Sequence, residues 1–352
     1  MKPEPQNKPT PPARPQPVLS PEVGGDRRVA FRLRAPNAAE VVVTGQWPGG
    51  GAPMVKDEDG VWSVMVGPVD PGIWEYSFQL DGLSMIDPGN PAIKPMREPR
   101  TSILNIPGDS AQLTDFQDVP HGVVHQHTYF SKALGRQREL VVYTPPISGN
   151  LVVENYPTLY LQHGFGDNQA TWTVHGKAHW ILDNLIAQRL AKPMIVVMMD
   201  GHAVAPGTPD GIGAFERDLL QDVMPFVVEN HNVETGAEHR ALVGLSMGGH
   251  QALTIGLNHP DLFSRVGAFS AGIPGAEAIS TALEDPDAIN EKLKLIWIAC
   301  GKDDFLFQRN VEFVELLNDK GIRHEWHLTE GDHSWPVWRT YLAQIAQVLW
   351  EE

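Results

Sequence analysis

The sequence predicts an α/β architecture preceded by a small all-β sandwich, and three observations carry that expectation. Short apolar runs such as Leu159-Tyr160-Leu161, Ala241-Leu242-Val243 and Leu295-Ile296-Trp297-Ile298 alternate with helical stretches, as in a mostly parallel sheet covered on both faces. Ahead of them, residues 25–106 show the period-two alternation of strands. Between the two patterns of a strand and a helix, Gly244-Leu245-Ser246-Met247-Gly248 forms a junction of small residues around one serine. At 352 residues the chain is long for one domain. It divides into a disordered Pro-rich linker at 1–24, a β-sandwich module at 25–106, and an α/β domain at 107–352.

The β elements are justified in order. Val29-Ala30-Phe31-Arg32-Leu33 alternates, and Val41-Val42-Val43, Val61 to Val66 and Trp74 to Phe78 supply further short strands. Asp57-Glu58-Asp59-Gly60 is a hairpin turn, since it lacks the ligand spacing and distal Glu of a calcium loop. Trp47, Trp62 and Trp74 fit a sandwich core or a face that stacks on sugar rings. After Pro107 to Pro120, read as a linker, Val123 to Ser131 and Glu139 to Tyr143 are edge strands. Thr158 to Leu161 and Met194 to Met199 follow as buried strands, then a helix over 215–230, the strand at 241–243 and a helix beyond Ser246. Val266 to Phe269, Leu295 to Cys300, a helix over 308–317, Glu325 to Leu328 and a helix over 341–350 complete the series.

Chemistry concentrates at the ends of these strands. Glycines at 244 and 248 permit the sharp turn of a nucleophile elbow, which lifts a serine hydroxyl above the sheet. An α/β-hydrolase then requires an oxyanion segment upstream, followed downstream by an acid and a histidine, each just past a strand. Gln162-His163-Gly164-Phe165-Gly166 supplies the first, with the N–H groups of Phe165 and Met247 as candidate oxyanion donors. Gly301-Lys302-Asp303-Asp304 supplies the acid; neighbouring side chains diverge, so one of the two aspartates faces the histidine and spacing leaves the choice open. Among fourteen histidines, His333 in Gly331-Asp332-His333-Ser334-Trp335 has the right position after the acid. His250, beside the elbow, is the rival and is read as bordering the pocket. His121, His125 and His127 cluster, as do His175 and His179, but neither set carries the Glu of a zinc-hydrolase motif, so no metal or other cofactor is expected.

These segments, together with Phe215-Glu216-Arg217-Asp218-Leu219, His239-Arg240-Ala241 and Ser334-Trp335-Pro336-Val337-Trp338, resemble the feruloyl and acetylxylan esterases of the esterase D-like family over roughly residues 120–350. The resemblance implies an α/β-hydrolase domain, favours Asp304 over Asp303, and places the histidine role on His333. His250 departs from the small residue frequent there. Gly45-Gln46-Trp47, Asp59-Gly60-Val61-Trp62, Gly72 to Tyr76 and Asp81-Gly82 resemble the isoamylase-like, glycogen-binding-type module, which implies polysaccharide contact.

A net charge of −16, from 27 basic and 43 acidic residues, argues against nucleic acid or an anionic membrane as partner. The single Cys300 excludes an intrachain disulfide and says nothing of compartment. No run of about 18 apolar residues is present. Esterases of this resemblance act on polymers outside the cell, so an extracellular or periplasmic location, with a secretion signal removed, is expected. The implied activity is a serine carboxylic-ester hydrolase with Ser246, His333 and Asp304 as its triad. It would remove feruloyl or acetyl groups from polysaccharide, with Trp335 and Trp172 either flanking an aromatic acyl group or filling the core, and His250 bordering the substrate. Siderophore esters and a non-catalytic carbohydrate-binding role are the alternatives.

Overall fold

The computed structural model describes residues 17–147, 155–205 and 207–351. The chain forms two compact units, one running through Ile93 and resuming over Arg100–Pro107, the other comprising Lys94–Pro99 and everything from Gly108 onward.

The first unit is a two-sheet β structure. One sheet orders Glu22–Val23, Val29–Arg34, Val61–Val66 and Val55–Lys56. The other orders Gly51–Pro53, Val41–Gly45, Gly72–Leu80 and Leu83–Met85, with Ser102–Ile106 also pairing on Gly72–Leu80. Alternate residues of these strands, including Val29, Phe31, Val41, Val43 and Phe78, meet in one core. Trp47 stacks on Phe31 at 5.6 Å and Trp62 donates its indole N–H to the Ala35 carbonyl, so both tryptophans are spent on packing. Trp74 is half-buried against the same core. The expected linker ends earlier than residue 24: Val23 pairs with Val29, and Ser20 is buried, donating to Asp87 Oδ2 at 2.6 Å beside the Tyr76 hydroxyl. Residues 1–16 of that linker lie outside the described residues.

The second unit holds one eight-stranded sheet, numbered here β1 (Val123–Ser131), β2 (Arg136–Thr144), β3 (Thr158–Gln162), β4 (Ile195–Met199), β5 (Arg240–Leu245), β6 (Arg265–Phe269), β7 (Leu295–Gly301) and β8 (Glu325–Thr329). Their spatial order is β1-β2-β4-β3-β5-β6-β7-β8. The first two strands run antiparallel and the rest parallel, so β1 alone is an edge at that end and β2 is flanked on both sides. Every residue of β3, β4 and β6 is buried, which is why these strands read as unbroken apolar runs. Successive residues feed opposite cores: Tyr160, Leu242 and Ile298 meet Phe215, Leu253 and Phe313 on one face, while Leu161, Val243 and Trp297 meet Trp172, Leu182 and Tyr341 on the other. Residues expected as a linker are also tied down, since Asn184 donates its side-chain amide to the carbonyls of Leu113 and Asp115.

Two helices differ from expectation for local reasons. The stretch read as one helix over 215–230 is Gly211–Asp218, a π turn at Leu219–Val223, and Met224–Asn230. Pro225 has no N–H for an α-type bond, and the wider turn absorbs its ring. The last helix spans Trp335–Val348, beginning at Trp335 with Pro336 in its first turn, earlier than the predicted residue 341.

Candidate active site

Ser246 sits between β5 and the helix Met247–Asn258 with φ +53° and ψ −112°, a conformation costly for a residue with a Cβ. The two flanking glycines make it attainable. A Cβ on Gly244 would come within 2.4 Å of the Gly248 backbone, and one on Gly248 within 2.6 Å of the His163 carbonyl. The turn therefore closes on itself and packs directly against β3. Hydrogen bonds from Ser246 N–H to the Phe269 carbonyl and from Gly272 N–H to the Ser246 carbonyl hold it.

Beyond β7, Asp304 is buried and Asp303 exposed. Asp304 Oδ1 accepts from Leu306 N–H at 2.8 Å, and Oδ2 lies 2.8 Å from His333 Nδ1. Burial pushes this carboxyl up, but the hydrogen bonds from His333 and Leu306 outweigh it, and the net direction is down. An ionised Asp304 fixes the tautomer: Nδ1 carries the proton and Nε2 presents its lone pair. Ser246 Oγ lies 3.0 Å from that Nε2 and can donate to it. The chain thus brings together three side chains contributed by three separate strand ends. His333 itself is carried by a loop entered through Gly331 at φ +102°.

The oxyanion candidates lie where the loop after β3 passes the elbow. A Cβ at Gly164 would meet Leu245 at 2.6 Å and the Ser246 Cβ at 3.4 Å. Phe165 N–H donates to no backbone carbonyl among the described residues. Met247 opens its helix, where N–H groups have no intrahelical acceptor and the helix dipole favours negative charge.

Of the three residues given as candidates for contact with the substrate, two lie in the core and one borders the elbow. Trp172 and Trp335 are each 1% exposed and pack edge-to-face at 4.9 Å within the core, so neither flanks an acyl group. The early start of the last helix turns Trp335 inward, and Trp172 donates its indole N–H to the Gln162 carbonyl. His250 is half-buried beside the Ser246–Gly272 turn, and burial holds its imidazole below the usual range; the imidazole that accepts from Ser246 Oγ is that of His333.

Phe305 and His202, which the sequence does not single out, stand around this centre together with His163 of the oxyanion segment. Phe305, 75% exposed, places its ring 4.5 Å from the His333 ring and offers an apolar surface at the mouth. His163 Nε2 accepts from Gly201 N–H, and His202 Nε2 accepts from Gly166 N–H at 3.1 Å. Burial pushes His202 down to about 4, which keeps that acceptor available. Asp200-Gly201-His202 directly follows β4, and that position at a strand end was the available signal. In the two histidine clusters, His121 is tied to Asp183, His125 to Thr144, His127 to His231 and His175 to Arg339, while His179 packs on Trp180. Among the described residues no group of three or more His, Cys, Asp or Glu converges as a metal site would require.

The "Putative esterase" family profile matches residues 131–349. An endo-1,4-beta-xylanase/feruloyl esterase of Xylanibacter ruminicola is 34% identical over 345 residues, covering 94% of this chain and 46% of its own length. The chain therefore spans under half of that relative. A solved ferulic acid esterase shares 28% identity at a TM-score of 0.59, covering 65% of this chain and 98% of its own. The enterobactin esterase of Shigella flexneri, 20% identical, superimposes with a TM-score of 0.65 over 92% of both chains, a likeness of fold. With the family profile spanning most of the α/β unit and the triad-like geometry inside it, the chain belongs to the esterase family of α/β-hydrolases.

Proposed function

We propose that this protein is a serine carboxylic-ester hydrolase that releases feruloyl, or alternatively acetyl, groups from plant cell-wall polysaccharide. The observation that carries the proposal is the continuous chain from Ser246 Oγ through His333 to the buried Asp304 carboxylate, at 3.0 and 2.8 Å.

Ser246 Oγ attacks the ester carbonyl carbon while its proton passes to His333 Nε2. Negative charge gathers on the carbonyl oxygen, where the Phe165 and Met247 N–H groups receive it. Collapse of the tetrahedral species breaks the bond to the sugar oxygen, which leaves with the proton from His333. Water then adds to the acyl-enzyme, giving its proton to His333, and the second collapse returns that proton to Ser246 as the carboxylic acid departs. Asp304 stays ionised throughout and stabilises the imidazolium.

The acyl preference draws support from the likeness to ferulic acid esterases and from Phe305 beside His333, an exposed ring suited to a planar aromatic acid. Action on a polymer fits an extracellular or periplasmic setting. No helix among the described residues is long and apolar enough to cross a membrane. Polysaccharide contact by the β unit would have to use surfaces other than Trp47 and Trp62, which fill its core. The test is turnover of methyl ferulate, acetylated xylan and a catechol-bearing siderophore ester by wild type and Ser246→Ala. Ferulate release lost in the variant supports the proposal; equal turnover in both removes it, and a preference for the catechol ester would move the substrate to a siderophore.

A further inference from the structure

The segment Lys94–Pro99 belongs to the α/β unit although the chain on either side of it belongs to the β unit. What it touches is the oxyanion loop. Lys94 Nζ pairs with Asp167 Oδ1 at 3.1 Å, both residues being buried. Met96 forms an antiparallel bridge with Asp167, and Arg97 N–H donates to the Gly166 carbonyl at 2.9 Å. Thr171 Oγ1, on the helix after the loop, donates to the Pro95 carbonyl at 2.6 Å. The Lys94 ammonium also lies 5.7 Å from the centre of the Trp335 ring, on the helix that follows His333.

Together these contacts fix the residues next to the proposed oxyanion donor. Gly166 has φ +84°, a left-handed turn that reverses the chain immediately after Phe165. Its N–H is held by His202 and its carbonyl by Arg97, so both polar groups that flank that turn are anchored from outside the loop. Asp167, one residue on, is anchored by a charge pair that cannot be left half-made. Removing the ammonium takes a charge-assisted partner from a buried carboxylate, and any shift of Asp167 carries Phe165 with it. Inside the loop, the Gly164 carbonyl accepts from Asp167 N–H at 3.3 Å and lies 2.8 Å from His163 Nδ1, which leaves the Gly166 peptide groups to be held by His202 and Arg97.

We infer that Lys94–Pro99 is a positioning strap: through the Lys94–Asp167 pair and the Arg97–Gly166 hydrogen bond it holds the Phe165 N–H where the developing oxyanion needs it. The inference rests on the serine-esterase reading of the site. Lys94 touches no reacting atom and acts through Asp167 and Gly166. Strap and donor are therefore coupled in the transition state more than in substrate binding, because the oxyanion hole engages fully only when charge develops.

Full-length Lys94→Met, Lys94→Arg and Asp167→Asn are assayed with methyl ferulate beside wild type and Ser246→Ala. Displacing a transition-state donor by about 1 Å costs up to about 100-fold, so Lys94→Met is expected to lower kcat about 30-fold with KM within about threefold. Affinity for a trifluoromethyl ketone analogue, which forms a tetrahedral adduct, should fall by a similar factor, while affinity for free ferulate holds. Lys94→Arg should recover most of the loss. A kcat per active site, counted by phosphonate titration to completion, that stays within about twofold of wild type while the melting temperature falls would overturn the strap and leave a purely structural tie. If Lys94→Met does not accumulate as folded protein, the isosteric Asp167→Asn decides: a kcat loss at constant KM supports the strap, and an unchanged kcat overturns it. The Ser246→Ala arm reports separately on the site itself, since wild-type turnover there defeats the esterase reading whatever the strap variants do.

Discussion

Replacing Asp304 by asparagine alters one atom's chemistry at nearly constant volume and tests how His333 is oriented. The native carboxylate uses one oxygen for Leu306 N–H and the other for His333 Nδ1, each at 2.8 Å. Asparagine has one acceptor oxygen for these two donors. If that oxygen stays on Leu306, the amide NH2 faces Nδ1, which must become the acceptor; the imidazole proton then sits on Nε2, pointing at Ser246 Oγ and unable to accept its hydrogen. If the oxygen turns to His333, the amide NH2 opposes Leu306 N–H in a pocket where Asp304 is only 4% exposed. The first arrangement relieves the clash and is expected to dominate. The equivalent change in a serine-protease triad costs about 10⁴-fold in kcat, or about 5 kcal/mol of transition-state stabilisation at about 1.36 kcal/mol per decade. The assay is steady-state methyl ferulate hydrolysis from pH 6 to 9, with Asp303→Asn as its partner because Asp303 is exposed. Asp303→Asn should stay within about twofold of wild type. An Asp304→Asn enzyme within tenfold of wild type, or an inactive Asp303→Asn, would refute the assignment of the acid.

Gly244→Ala forces a Cβ against the rigid Gly248 backbone at 2.4 Å and should destabilise by about 3 kcal/mol, read as a lower urea midpoint at unchanged slope. Trp172→Phe should lower stability while leaving the ratio of feruloyl to acetyl ester turnover unchanged, because its ring lies in the core; Phe305→Ala should leave stability alone and shift that ratio toward acetyl. His179, His202 and His231 are each pushed down to about 4, burial being the leading cause, against an ordinary value of 6.5. Below pH 6.5 the unfolded chain binds protons that the native chain refuses, so their contribution is complete above that pH and fades as pH drops toward 4. Calorimetric melting temperatures should therefore decline across that window, with a shallower slope in His231→Gln; a flat profile from pH 7 to 4.5 would contradict the burial of these rings.

The parallel strands were legible because a strand buried on both faces leaves a continuous apolar run, as in Ile195–Met199 and in residues 241–245. The elbow was legible because steric demand falls on residue types: only glycine fits at 244 and 248. Spacing alone leaves Asp303 and Asp304 open and only the family resemblance favours Asp304, since their difference is the direction of two adjacent side chains, which the folded structure displays. The same kind of information separates the two readings open for Trp172 and Trp335, substrate contact or core. Nearness to His333 in sequence says nothing about which way a helix turns, although Pro336 could have signalled the earlier start. Lys94 was invisible because its partner lies 73 residues away and one lysine among many carries no pattern. Phe305 escaped notice because exposure of an aromatic ring is a property of the folded surface.

The central claim, a single activated serine at the elbow, is tested most directly by intact-mass and peptide mapping after incubation with a fluorophosphonate. One adduct is expected per chain, on the peptide containing Ser246, with none in Ser246→Ala and strongly slowed formation in His333→Ala. An adduct mapped to another residue, or labelling that survives in Ser246→Ala, would contradict it.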